Sequence, residues 1–278
     1  INHRSNFLPW FLLPIIGFLV GGFGTLIGAG GGFILVPVLL LMYPDYSPST
    51  ITAITLTVTF FNSFSGTLAY SRLKRIDFRS ALIFSLAGIP GAIIGANVTG
   101  LLGRNSFQLI FSVVLIALSI YLLVKPGVQK SNSCSLNGTT KREITDSEGT
   151  KHSFSYSLKL GIVLAFFTGF VAGLLGIGGG IIHVPAMCNL LSYPVHIATA
   201  TSHMVISITT FSALITHIIR ESFADGFAIA LLLSLGAIAG AQVGAKYSKK
   251  VPGQVIIRFL ALGLLAVAIR LIVSVVST

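Results

Sequence analysis

Few side chains in the apolar stretches of this sequence can hold a proton or an anion, and they recur in a pattern. His183 and His203 sit inside long apolar runs, with Thr201 and Ser202 directly before His203. Thr55, Thr59, Asn62 and Ser63 lie in a comparable run of the first half, and Thr199 and Thr209 in one of the second. Each half also carries a glycine cluster, Gly28-Ala29-Gly30-Gly31-Gly32 and Gly176-Ile177-Gly178-Gly179-Gly180. Each glycine costs a helix about 1 kcal/mol relative to alanine. Lipid offers broken backbone no hydrogen bond, so a break survives only where protein buries it or it lines a cavity. Matched breaks in two halves of an apolar chain point to a central binding site between them.

The chemistry of such a site follows from the helix that starts after each break. Its first N–H groups have no partner, and its dipole places about half a positive charge there. Glycines let an oxyanion approach those groups closely. The candidate substrate-binding residues are therefore Gly30, Gly31, Gly32, Thr55 and Asn62 from the first half, and Gly178, Gly179, Gly180, Thr201 and Ser202 from the second. His183 and His203 are candidates for a coupling proton or for a hydrogen bond to substrate. The competing reading makes the glycines packing residues, but packing favours GxxxG spacing over consecutive glycines. The hydroxyls and histidines also have an ordinary alternative, bonding within the bundle.

Other chemistries lack their residues. No Lys-Ser or Lys-Thr follows either glycine cluster, which argues against a phosphate loop. No cofactor is expected, and no metal: Cys188 is five positions from His183, off its helical face, and no carboxylate cluster accompanies the histidines. No catalytic residue stands out, and the clustered histidine patterns of membrane metalloenzymes are missing, so an enzyme is not expected. Asp45, Asp77, Glu221 and Asp225 lie at the ends of apolar runs, leaving no buried carboxylate for sodium. Arg258 and Arg270, in the last run, are read as reaching the interfaces.

The elements that must position these residues are membrane spans. Of 278 residues 54% are hydrophobic and 9% charged, and mean hydropathy is +0.92. Repeated apolar runs of about 18–21 residues are long enough to span lipid. The net charge of +11 lies mostly in loops beside the runs, which favours a positive-inside bias over nucleic-acid binding. No signal peptide is read at the N-terminus, and Cys134 and Cys188 form no disulfide framework. The expected fold is an all-α polytopic membrane protein of two inverted-topology repeats. Each repeat has a glycine-broken helical hairpin plus three spanning helices. Residues 1–124 form the first membrane repeat, 125–156 a polar cytoplasmic linker with little fixed structure, and 157–278 the second repeat. Asp77 matches Asp225, and Ser85, Gly91 and Gly95 match Ser234, Gly240 and Gly244.

Short pieces after the breaks, residues 33–43 and 181–191, are too short to cross about 30 Å at about 1.5 Å per residue. Paired as hairpins with the preceding runs, they leave an odd number of spans per half, which inverts the second half. One face then collects Arg72, Lys74, Arg75, Arg79, the linker cations and Lys246, Lys249 and Lys250, while the other keeps Arg4, Arg104 and Arg220. That asymmetry places the linker in the cytoplasm and both termini outside, in a plasma (inner) membrane.

The segments Gly30-Gly-Gly-Phe-Ile-Leu-Val-Pro37, Gly176-Ile-Gly-Gly-Gly180 and Ala198-Thr-Ala-Thr-Ser202 resemble the TauE/SafE family of sulfite exporters (TSUP transporters) over nearly the whole chain outside the linker. The resemblance implies a transporter of sulfite, organosulfonates or other small sulfur-containing anions, with the bilayer as surroundings and no nucleic-acid partner. The leading function is a secondary transporter, in the exporting direction, that binds its anion near the midplane at the paired breaks. A passive anion channel and a proton-coupled importer are the alternatives. The first half departs from the motif, with Ile54-Thr55-Leu56 where Ala200-Thr201-Ser202 is taken as its match.

Overall fold

The computed structural model describes residues 10–124, 140–223, 226–248, 265, 268–271 and 273. In chain order its main elements are helices α1 (Leu12–Ile27), α2 (Gly32–Met42), α3 (Pro48–Arg72), α4 (Phe78–Thr99) and α5 (Arg104–Val124). A β-hairpin of β1 (Thr140–Thr145) and β2 (Lys151–Tyr156) follows, then α6 (Leu158–Leu175), α7 (Gly180–Leu190), α8 (Val195–Ile219) and α9 (Phe227–Tyr247). Six helices among the described residues, α3, α4, α5, α6, α8 and α9, are long and apolar enough to cross a membrane. The protein is a mostly helical, polytopic membrane protein. The expected span over 254–276 lies mostly outside the described residues, as do Asp225, Arg258 and Cys134; Arg270 is described and exposed.

Local chemistry sets the ends of the elements. Ser47 caps α3 by accepting a hydrogen bond from the Thr50 N–H at 3.1 Å, and Pro48 takes the first helical position, where its missing N–H costs nothing. Asp77 caps α4 in the same way through the Ser80 N–H at 3.2 Å. Both breaks use one backbone recipe. Gly28, Gly30 and Gly31 have φ of 85°, 75° and 83°, and Gly176, Gly178 and Gly179 have 71°, 76° and 76°. An L side chain in that left-handed region costs about 1–2 kcal/mol per residue, so glycine is required at all three places of each break.

At the centre, α3 and α8 run antiparallel. The start of α3 meets the end of α8, where Thr52 Oγ1 lies 3.4 Å from His217 Nε2. The end of α3 meets the start of α8, where the rings of Tyr70 and His203 pack edge to face at 5.3 Å. Helix α1 lies along α9, and α4 along α6, through glycines that admit the neighbouring backbone. The two seams correspond in detail: Gly240 faces the Phe18 carbonyl and the Gly22 nitrogen, while Gly91 faces the Phe166 carbonyl and the Phe170 nitrogen.

The outer ends of α6 and α7 return to one face. Leu158 at the start of α6, and Leu191 and Tyr193 just after α7, share an apolar cluster with Phe154 and Tyr156 of the hairpin and Phe84 of α4. On the opposite face Arg104 donates hydrogen bonds to the carbonyls of Leu40, at 2.6 Å, and Tyr46, at 2.7 Å, holding the end of α2 beside the start of α5.

The linker corrects the sequence reading. Residues 140–156 form an antiparallel hairpin in the register Thr140 with Tyr156 and Thr145 with Lys151, so the chain is not all-α. Its turn is built by Asp146, whose Oδ1 accepts the N–H groups of Glu148 at 2.8 Å and Thr150 at 3.1 Å. Phe154 and Tyr156 point into the apolar cluster and anchor it. A composition rich in Ser, Thr and charge concealed this two-residue alternation.

Candidate functional site

The two breaks press against each other between α3 and α8. A Cβ placed on Gly32 would lie 2.7 Å from the Gly176 carbonyl oxygen and 2.7 Å from Thr59 Oγ1. Reciprocally, a Cβ on Gly180 would meet the Gly28 carbonyl, Ile206 and, at 2.7 Å, the Cα of Ala29. Gly28 abuts Thr199 of α8, and Gly176 abuts Thr52 and Thr55 of α3. Each break therefore seats on the long helix of the other half. The first helical bonds after the breaks run from Ile34 and Leu35 to the Gly31 carbonyl, and from Ile182 and His183 to the Gly179 carbonyl. The amides before them, those of Gly32, Phe33, Gly180 and Ile181, precede the helical ladder.

The α3 side of this contact holds a group of buried polar atoms with unused bonding capacity. Thr59 Oγ1, Asn62 Nδ2 and Ser63 Oγ are buried without a hydrogen-bond partner among the described residues. A Cβ on Gly30 would be 3.0 Å from Ser63 Oγ, and Thr59 meets Gly30, Gly32 and Gly178, so these two border the breaks. Asn62 lies beside α1 before the first break, its Oδ1 2.8 Å from a Cβ on Gly21. Asn62 is oriented by Thr25, whose hydroxyl donates to Asn62 Oδ1 at 3.2 Å, turning the amide nitrogen free. Thr25 was not singled out from sequence; its place in the last turn before Gly28 is the signal that would have found it. Leaving buried donors unpaired costs about 1–3 kcal/mol each, so three at one place is a feature that needs a reason.

The α8 side differs. Both long helices have 25 residues, and with Pro48 laid on Val195 and Arg72 on Ile219, Thr55 falls on Ser202, not on Thr201. The contacts agree, since the Ser202 hydroxyl donates to the Gly28 carbonyl at 3.4 Å while Thr55 abuts Gly176. Thr201 instead accepts the Asp77 N–H at 3.1 Å, at the linker face. Thr55 spends its hydroxyl on the Thr52 carbonyl at 3.1 Å.

His183 and His203 are both fully enclosed, and in each the Nε2 atom is unpartnered among the described residues. His203 Nδ1 lies 3.1 Å from the Thr199 carbonyl, which can only accept, so Nδ1 carries the proton. Thr168 donates its single hydroxyl proton to the Ala165 carbonyl at 3.1 Å, so it accepts from His183 Nδ1 at 3.1 Å. In the neutral form each ring then presents Nε2 as an acceptor. A cavity of about 10 Å³, room for about one water molecule, lies beside His183 and is lined by Thr168, Gly178, Gly179, Ile206 and Thr209. Among the described residues no three His, Cys, Asp or Glu side chains gather as metal ligands.

A multi-span helical protein with paired glycine breaks facing each other inside the bundle has the build of a membrane transporter. Comparison with known sequences agrees: residues 13–271 match the family model described as sulfite exporter TauE/SafE. The chain belongs to the TauE/SafE family, which is a family of transporters and not of enzymes. It is 33% identical over 271 residues to the probable membrane transporter protein YunE of Bacillus subtilis, covering 95% of this chain and 98% of that one. It is 28% identical over 253 residues to the probable membrane transporter protein MJ0441 of Methanocaldococcus jannaschii, covering 86% of each. No solved structure matches it.

Proposed function

We propose that the chain is a secondary transporter that exports small sulfur-containing anions such as sulfite or organosulfonates, bound near the midplane where the two breaks meet. The observation that carries this reading is the cluster of unpartnered Thr59, Asn62 and Ser63 beside the first break. Two hydroxyls and an amide NH2 offer four donor hydrogens, and the amides that open α2 add backbone donors and a favourable dipole. Donors of that kind suit the oxygens of a sulfite or sulfonate group.

In this reading the matched break geometry, the antiparallel α3 and α8, and the crossed seams reflect two inverted repeats. The cationic linker face is then cytoplasmic and both termini lie outside in the plasma membrane. Because Gly32 and Gly180 already touch the opposite break, an anion can occupy the centre only if the breaks separate. Transport by rocking of one hairpin against the other supplies that separation. Export of an anion is driven by the inside-negative potential, about 2.3 kcal/mol per charge per 100 mV, and needs no coupling ion.

A second reading, import coupled to protons, draws on the two unpaired Nε2 atoms. A neutral Nε2 acceptor repels an oxyanion's lone pairs, whereas protonation converts it to a donor, so anion and proton binding would be linked. Counterflow of labelled sulfite in proteoliposomes tests the carrier reading. Saturable exchange that Thr59→Val and Asn62→Leu each weaken is expected; flux that never saturates would identify a channel. Sulfite, thiosulfate, sulfoacetate, taurine and sulfate in the same assay define the substrate.

A further inference from the structure

Beneath the hairpin, at the linker face, lies a second polar cluster that the central site does not use. Arg75, in the loop between α3 and α4, has a side chain only 4% exposed, and its Nε and Nη1 atoms have no hydrogen-bond partner among the described residues. Among the described residues it pairs with Asp146 at arm's length: Arg75 Nη2 lies 3.7 Å from Asp146 Oδ2, beyond hydrogen-bond reach. The same oxygen faces His152 Nε2, also at 3.7 Å. His196, in the first turn of α8 at the same face, is exposed. Asp146 meanwhile gives its other oxygen to the turn amides of Glu148 and Thr150. One guanidinium and one imidazole therefore face a single carboxylate that is already committed to its own turn.

A buried guanidinium with spare donors is costly unless something fills them. Its planar fork matches a small oxyanion, which would replace one long ion pair by direct charge-assisted hydrogen bonds. Such an anion would compete with Asp146 for Arg75. Asp146 forms the turn that places Ser147, whose N–H donates to the Leu73 carbonyl at 3.1 Å and pins the hairpin to the loop carrying Arg75. Loss of the Asp146 contact would thus loosen the hairpin from the bundle.

We propose that Arg75 and His152 form a second oxyanion site, under the hairpin at the linker face, whose occupant displaces Asp146 and loosens the hairpin. The site is separate from the central one by position and by donor set. Its ligand class is a small tetrahedral or pyramidal oxyanion, which includes the proposed substrate as well as free phosphate or sulfate.

Hydrogen exchange on the full-length protein in detergent tests the proposal without requiring transport. Sulfite, sulfate or phosphate, against chloride at matched ionic strength, should speed exchange of amides 140–156 at least about threefold in the parent and in Thr59→Val. In Arg75→Met the acceleration should vanish, while Arg75→Lys, which keeps charge but loses the fork, should weaken apparent affinity about tenfold or more. A response to sulfite alone assigns the site to substrate, and a response to all three assigns it to oxyanions in general. No oxyanion effect on the parent, slower exchange, or an equal effect in Arg75→Met overturns the proposal. Should Arg75→Met fail to fold, His152→Gln serves instead, with a weakened response expected and an unchanged one counting against the site. Because Thr59→Val retains the effect, failure of the central-site reading would be seen separately.

Discussion

Gly32 and Gly176 touch across the middle of the bundle, the carbonyl of Gly176 lying 2.7 Å from where a single methyl on Gly32 would sit. Gly32 is the first residue of α2 and, unlike Gly30 and Gly31, has no left-handed backbone to protect. Gly32→Ala therefore tests contact between the breaks without adding backbone strain. The extra methyl also meets Thr59 Oγ1 at 2.7 Å. Overpacking should lower stability by about 1–3 kcal/mol and reduce sulfite flux at least about tenfold. Thermal melting and counterflow measure the two, and normal flux would show that the breaks need not close this tightly.

Asn62 and Thr59 are predicted to act through their free donors. Each hydrogen bond to a charged ligand contributes about 1.5–3 kcal/mol, so Thr59→Val should weaken sulfite binding roughly 10- to 100-fold. Since Thr59 Oγ1 has no partner to lose among the described residues, melting should move little. Asn62→Leu should weaken binding too, but with a stability cost, because it strands the Thr25 hydroxyl. Isothermal titration with sulfite checks both, and unaltered affinity in Thr59→Val would remove α3 from the site.

His203 tests proton coupling. With Nδ1 committed to the Thr199 carbonyl, only Nε2 is free to take a proton. His203→Gln keeps a donor toward Thr199 and removes titration. If His203 carries the proton, the pH dependence of flux should flatten; an unchanged profile would remove that role and leave His183 as the remaining candidate.

Asp77 joins four elements. It accepts from Ser80 of α4, from Tyr193 at 3.2 Å and from Arg142 of β1 at 3.0 Å, while its N–H binds Thr201 of α8. Asp77→Asn leaves the Arg142 guanidinium without its partner and should cost about 3 kcal/mol, the scale of a broken buried pair. Arg142→Met added to Asp77→Asn should restore part of that loss, since no unpaired charge remains. Additive losses in the double variant would show that the pair does not couple.

Asp146 sets a pH limit on the hairpin. Burial resists its ionisation, but the Thr150 N–H and the charges of Arg75 and His152 outweigh that and hold the carboxyl below its usual 3.8. A depressed folded-state value means the stabilisation is complete above 3.8 and is lost as pH falls through the lower folded value. Acidification from pH 7 to pH 5 should therefore leave the Asp146 contribution intact, with loss confined below about pH 4. Melting curves of the parent and Asp146→Asn, compared across pH, should converge only in that acidic range.

The sequence disclosed the breaks because their requirement is local: three left-handed residues in a row of five demand glycine wherever they occur. It matched Gly91 with Gly240 but did not disclose the seams they line, because what each admits is the backbone of a helix distant in sequence. Register was harder. Pairing Thr55 with Thr201 instead of Ser202 is an error of one residue, but on a helix that turns a side chain by about 100°. Thr201 then belongs to the Asp77 network and Ser202 to the break. The hairpin was missed because its order rests on contacts from outside: Tyr156 to Ser80 at 2.6 Å, and Phe154 against Tyr193 at 4.3 Å between ring centres. None of these partners is near in sequence. The unpaired state of Thr59, Asn62 and Ser63 was likewise invisible, because absence of a partner is a three-dimensional fact.

The crossed seams bear on how such a chain could have arisen. Helix α1 leans on α9 and α4 on α6, so neither half encloses its own grooves. A protein of half this length would leave Gly17 and Gly21, or Gly88 and Gly91, open to lipid with nothing to fit them. It would be complete only as a pair of copies, and in the inverted arrangement proposed above one copy would have had to insert upside down. Fusion through a linker would then have freed the two copies to diverge, one keeping an amide and hydroxyls beside its break, the other acquiring histidines.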